Sequence, residues 1–138
     1  MKKSLLFALM VGMLPLTANA ASEDECSIWL CLPTGFPSGC EGAKSAFKDR
    51  VKHLKSPLPG FIGCATQTNE HASEMTYQEG AAAKMPDGSY IDGTRCNHYW
   101  DAPNDKWRWE PHGCIGTYYY IDTYEDGNLY GDRYYYQY

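Results

Sequence analysis

The stretch CSIWLCLPTGFPSGCEGAKSAFKDRVKHLKSPLPGFIGC, residues 26–64, holds four of the six cysteines, and a helical pattern lies between them. Ile28, Trp29, Leu30 and Leu32 form an apolar run, and the turn-forming residues Pro33, Thr34, Gly35, Pro37, Ser38 and Gly39 break it. From Glu41, the apolar residues Ala43, Ala46, Phe47, Val51 and Leu54 recur at steps of three and four. This spacing predicts an amphipathic helix that stops before Ser56-Pro57. Its wet side is basic, with Lys44, Lys48, Arg50, Lys52, His53 and Lys55 in one stretch. Such a run reads first as a solvated face and second as a dock for an acidic partner.

Two such segments folded back on each other form a helical hairpin, with start beside end and the two turn-facing ends together. Four cysteines allow three connectivities. The hairpin geometry favours nested bridges, Cys26–Cys64 outside and Cys31–Cys40 inside.

The ordered pattern of this stretch resembles the TrbM/KikA/MpfK family of conjugal transfer proteins. It is carried by CSIWLCLPTGF, a Gly-Cys pair, an Ala-Phe-Lys-Asp-Arg helix, Lys-Ser-Pro-Leu-Pro-Gly-Phe and a closing Cys. The resemblance implies a small exported protein encoded with plasmid mating-pair and type IV secretion genes. It implies a protein component of that apparatus as partner. It supplies no catalytic residues, and it stops at Cys64.

Upstream, Met1-Lys2-Lys3, an apolar run from Leu5 to Leu16 and Ala18-Asn19-Ala20 match the three parts of a secretory signal. Cleavage is expected after Ala20, with delivery to the periplasm. The run is too short for a comfortable membrane span, and no later stretch is long enough. Without residues 1–20, ten Lys and Arg face seventeen Asp and Glu, a net charge near −7. That sign argues against a nucleic-acid partner, whose phosphates need clustered cations. In an exported chain six cysteines read as three disulfides, and no Cys-x-x-Cys pair suggests zinc.

Residues 65–85 are polar or small and read as a linker or a loose helix, weakened at Gly80. Residues 86–138 read as four short antiparallel strands. Trp107-Arg108-Trp109 alternates apolar with charged, Pro103-Asn104-Asp105 supplies a turn, and Asp126-Gly127-Asn128 marks a hairpin between two tyrosine-rich runs. A Cys96–Cys114 bridge across the first hairpin would place His98 opposite His112 and Trp100 opposite Glu110. The expected fold is therefore α+β: a disulfide-stapled helical hairpin (21–64) followed by an antiparallel, aromatic-rich β-meander.

All twelve tyrosines follow Ala65, together with Trp100, Trp107 and Trp109. Tyr and Trp join rigid area to one hydrogen-bonding group, which suits protein interfaces and sugar stacking; they also simply build sheets. Trp100, Trp107, Trp109, Tyr118, Tyr120, Tyr134 and Tyr136 are the partner-binding candidates. His98 and His112, with Asp101 and Glu110 nearby, form a weak metal candidate. Asp122, Glu125, Asp126, Asn128 and Asp132 cluster oxygens without the spacing of a calcium loop. No nucleophile, zinc-protease, phosphate-loop or cofactor motif occurs. The resemblance implies a non-enzymatic accessory protein of conjugation, and the aromatic tail and acidic charge suit the alternative of an exported cell-wall-binding module or hydrolase inhibitor.

Overall fold

The computed structural model describes residues 22–65 and 73–137. The expected signal segment, 1–20, lies outside them. Helix α1 runs Glu23–Cys31, capped by the Ser22 hydroxyl accepting from the Glu25 N–H at 3.2 Å, with three acidic residues in its positive first turn. One short 3-10 turn, Leu32–Thr34, carries the chain to helix α2, Glu41–Lys52, and a brief helix α3 spans Phe61–Ala65. Ala43 and Phe47 are the buried residues of α2. Leu54, expected on the same apolar face, lies beyond the helix end in a left-handed conformation and is 94% exposed.

The bridges are nested as the hairpin geometry favours: Cys26–Cys64 and Cys31–Cys40, with Cα separations of 5.4 and 6.0 Å. Arg50 adds a polar tie. From α2 it pairs with Glu25 of α1 and donates to the Ser56 carbonyl at 2.7 Å, closing the return loop onto both helices.

Six strands follow: β1 Met75–Lys84, β2 Tyr90–Asp92, β3 Asn97–Asp101, β4 Lys106–Glu110, β5 Gly116–Glu125 and β6 Asn128–Tyr136. They form three successive antiparallel hairpins in two sheets, one ordered β2-β1-β5-β6 and one of β3-β4 alone. The α+β class, the stapled helices and the antiparallel aromatic strands stand, though residues 86–138 form five strands, β2 to β6, rather than the expected four.

The linker or loose helix expected over 65–85 is corrected for Met75–Lys84, while residues 66–72 lie outside the described residues. Met75–Lys84 is an inner strand of the larger sheet, paired along its whole length with β5. Gly80-Ala81-Ala82-Ala83 carries no apolar alternation because its partners supply the bulk. Tyr120 stands opposite Gly80 and Tyr118 opposite Ala82, while Ala83 packs on the Cys96–Cys114 bridge. Between β5 and β6 the chain reverses through Asp126-Gly127, both at positive φ (48° and 81°), the two-residue turn that the Asp-Gly pair favours.

Helices and sheet share one core. Ile28, Trp29, Leu32, Phe36, Phe47 and Leu58 pack against Met75, Ile121 and Tyr136. Trp29 meets Phe61 and Tyr77 edge-on at ring separations of 5.6 and 5.7 Å, and its indole N–H donates to the Pro59 carbonyl at 3.0 Å. The turn after α1 rests on the edge strand at Gly131, where a Cβ would lie 2.5 Å from Pro33. Only glycine allows that approach.

Candidate functional site

The seven aromatic candidates fall in three different places. Tyr136 belongs to the core and Tyr134 packs, half-buried, against it, which turns both away from the expected partner-binding face. They alternate onto the helix-covered side of β6, where Phe47 meets both rings edge-on at 5.7 and 5.1 Å. A strand whose successive residues point to opposite faces divides any tyrosine run between two environments. Tyr135, between them, points the other way.

Tyr118 and Tyr120 stand on the sheet face opposite the helices, together with Tyr90 and Tyr135. Tyr90 stacks on Tyr135 at 3.9 Å with rings 3° from parallel, and meets Tyr118 edge-on at 5.4 Å. Lys84 Nζ sits 4.6 Å from the Tyr118 ring centre, and the Arg133 guanidinium 3.8 Å from that of Tyr120. Arg133 grips Asp122 with two hydrogen bonds of 2.8 and 2.6 Å and reaches Asp92 at 2.9 Å. The Tyr135 hydroxyl donates to the other oxygen of Asp92 at 2.9 Å.

These contacts set the titration of the face. The Asp122 hydrogen bonds, ahead of partial desolvation, hold the Arg133 pKa above its usual value. Desolvation, followed by Asp92, raises that of Tyr135. For Lys84 desolvation works against the charge, and the interactions with Tyr90 and Tyr118 outweigh it, so its pKa is raised. Charges and rings here satisfy one another, so the face is a closed polar lattice. Asp122, a candidate calcium oxygen, is committed to Arg133. Asp126 likewise accepts from the Glu74 N–H at 2.9 Å.

Trp100, Trp107 and Trp109 lie on the β3–β4 hairpin, which stands apart from the larger sheet. Its register differs from the expectation. His98 faces Trp109, Trp100 faces Trp107 and Asn97 faces Glu110, while Cys96–Cys114 closes just below the last pair. The reason is the return arm. Pro111, His112 and Gly113 intervene between Glu110 and Cys114, whereas Cys96 adjoins Asn97 directly, so the bridge spans an asymmetric base. His98 and His112 are therefore not cross-strand partners, and no group of three metal-ligating side chains occurs among the described residues.

The corrected register places His98, Trp100, Trp107 and Trp109 on one face of the ribbon. His98 stacks on Trp109 at 4.1 Å and leans on Trp107 at 4.6 Å, and Trp107 meets Trp100 at 5.4 Å. Cross-strand aromatic pairs of this kind stabilise a hairpin by about 0.2–1 kcal/mol each. Yet the three indoles remain 47, 60 and 44% exposed. The reverse face carries Tyr99, Asp101, Lys106, Arg108 and Glu110, with an Asp101–Arg108 ion pair. At the tip the Asn104 amide donates to Asp101 at 2.8 Å. This hydrogen bond, ahead of the Arg108 charge, holds the Asp101 carboxyl below its ordinary pKa.

The base is firm. The Thr117 hydroxyl of β5 accepts from the Cys96 N–H at 2.9 Å, and the disulfide packs on Ala83. The result is an amphipathic ribbon, anchored at one end, with an aromatic face that no other part of the described chain covers. The period-2 signal in Trp107-Arg108-Trp109 pointed to this face. His98 entered the sequence reading only as a metal candidate, and its place in the ladder followed from the register.

No protein-family model, curated protein or solved structure matches the chain. Among the described residues no helix is long and apolar enough to cross a membrane.

Proposed function

We propose that this is an exported, periplasmic accessory protein of a plasmid conjugation (type IV secretion) apparatus, acting by protein contact through the tryptophan face of the β3–β4 hairpin. The observation that carries the contact mechanism is three indoles, 44–60% exposed, on one face of a disulfide-anchored ribbon. Exposed aromatic clusters of this kind mark interaction sites, and tryptophan is enriched among residues that dominate binding energy. The ordered residue pattern of 26–64 supports the conjugative setting. The aromatic interface suits this role without any catalytic group.

The test is the mating frequency of donor cells carrying an in-frame deletion of the gene. Transfer is expected to fall on deletion and to return with the wild-type copy. A copy carrying Trp100→Ala and Trp109→Ala is expected not to restore it. Unchanged transfer on deletion would overturn the conjugative reading.

A further inference from the structure

The indole N–H groups of Trp100, Trp107 and Trp109 have no hydrogen-bond acceptor among the described residues, in contrast to Trp29, which donates to Pro59. Their face of the ribbon holds four aromatic rings, the three indole donors and the His98 imidazole, which both donates and accepts, and no carboxylate, amide, lysine or arginine. The charges of residues 97–110, three acidic and two basic, lie at the turn or on the reverse side. A ligand matched to this face presents apolar C–H surface and bare acceptors, and brings no charge and few donors. A saccharide brings a donor with every hydroxyl, and the face offers only a His98 ring nitrogen to accept them.

A polyproline II segment has the required chemistry. It makes no internal hydrogen bonds, its carbonyls stand free, its prolines lack an N–H, and its rings are apolar. Spacing agrees. One diagonal of the aromatic quartet, His98 to Trp107, is closed by ring contact at 4.6 Å. The other, Trp100 to Trp109, has no ring contact among the described residues. Cross-strand diagonals span about 7–8 Å, and a polyproline turn of three residues advances about 9 Å. Two prolines about one turn apart therefore reach Trp100 and Trp109, whose common neighbour Trp107, opposite Trp100 and two residues from Trp109, offers the third indole N–H.

We infer that the tryptophan face of the β3–β4 hairpin is a receptor for an uncharged, proline-rich segment of the protein partner. This rests on the contact mechanism proposed above and names the partner's chemistry.

The experiment titrates a synthetic decaproline peptide into the disulfide-intact protein, reading the indole N–H resonances and tryptophan fluorescence. Saturable shifts at the three indoles are expected. Trp100→Ala or Trp109→Ala weakens binding by about tenfold or more, as for a dominant interface aromatic. Trp107→Phe keeps the ring, loses the donor and weakens binding less. Tyr99→Ala, on the reverse face, leaves it unchanged. The inference is overturned if decaproline gives no saturable shift, or if the Trp100→Ala and Trp109→Ala double variant binds as wild type. It is equally overturned if N-acetylglucosamine oligomers or phosphatidylcholine vesicles shift the indoles and decaproline does not. Lost transfer in the double variant without decaproline binding would reject the peptide class and keep the conjugative reading. Decaproline binding with unchanged transfer on deletion would do the reverse.

Discussion

The Tyr120 phenol occupies the place where a side chain on Gly80 would stand: a Cβ there would lie 2.2 Å from the Tyr120 hydroxyl oxygen. The two residues are direct cross-strand partners, and the Arg133 guanidinium stacks on the ring. Tyr120 is thus layered between backbone and cation. Gly80→Ala forces the ring away and is expected to cost about 1–3 kcal/mol, the range for overpacking. Chemical denaturation checks it. In a Tyr120→Ala background the same substitution should cost much less, because the clash is gone. Equal costs in both backgrounds would contradict the contact.

Burial separates two aromatic residues that look alike in the sequence. Phe47 is fully buried between Phe36, Tyr134 and Tyr136, and Phe47→Ala should destabilise by about 3–5 kcal/mol. Trp107 is 60% exposed. Trp107→Ala should cost no more than about 2 kcal/mol, the combined worth of its contacts with His98 and Trp100. Thermal unfolding of the two variants distinguishes core from recognition face, and a large loss in Trp107→Ala would mark the ladder as structural.

Cys96–Cys114 is the clamp on the hairpin. A two-stranded ribbon is marginal in water by itself, and closing a loop of this size contributes about 3 kcal/mol. Replacing both cysteines by serine should speed amide exchange throughout Asn97–Glu110 while β1 and β5 stay protected. Unaltered exchange in the hairpin would show that the tryptophan ladder holds it alone.

Acid should loosen the tip of the same hairpin. Asp101 titrates below the ordinary aspartate range, chiefly through the hydrogen bond from Asn104. A carboxyl with a depressed folded pKa stabilises fully above its unfolded value, and that contribution is lost as pH falls through the folded one. Chemical shifts of Ala102–Asp105 followed from neutral pH downward should therefore change only below the ordinary aspartate range. Asp101→Asn should remove that transition, and a midpoint above the ordinary value would contradict the geometry.

Local signals were enough for much of the fold. The spacing of Ala43, Ala46, Phe47 and Val51 marks α2, the cysteine positions suit a nested pair of bridges, and Asp126-Gly127 marks its turn, because each depends on residues within a few positions or on simple chain geometry. The aromatic density after Ala65 likewise announces a sheet. None of these signals says which of seven candidate rings reaches solvent. Strand β1 exists because β5, some forty residues later, lays its tyrosines over Gly80 and Ala82. The hairpin register is set by three residues in the return arm, which put His98 beside Trp109. Tyr134 and Tyr136 turn inward because the stapled helices cover that side of β6. Residue type and short-range spacing determine which elements form. Long-range pairing and the packing of the helical unit decide which faces they bury, and they leave the tryptophan face uncovered.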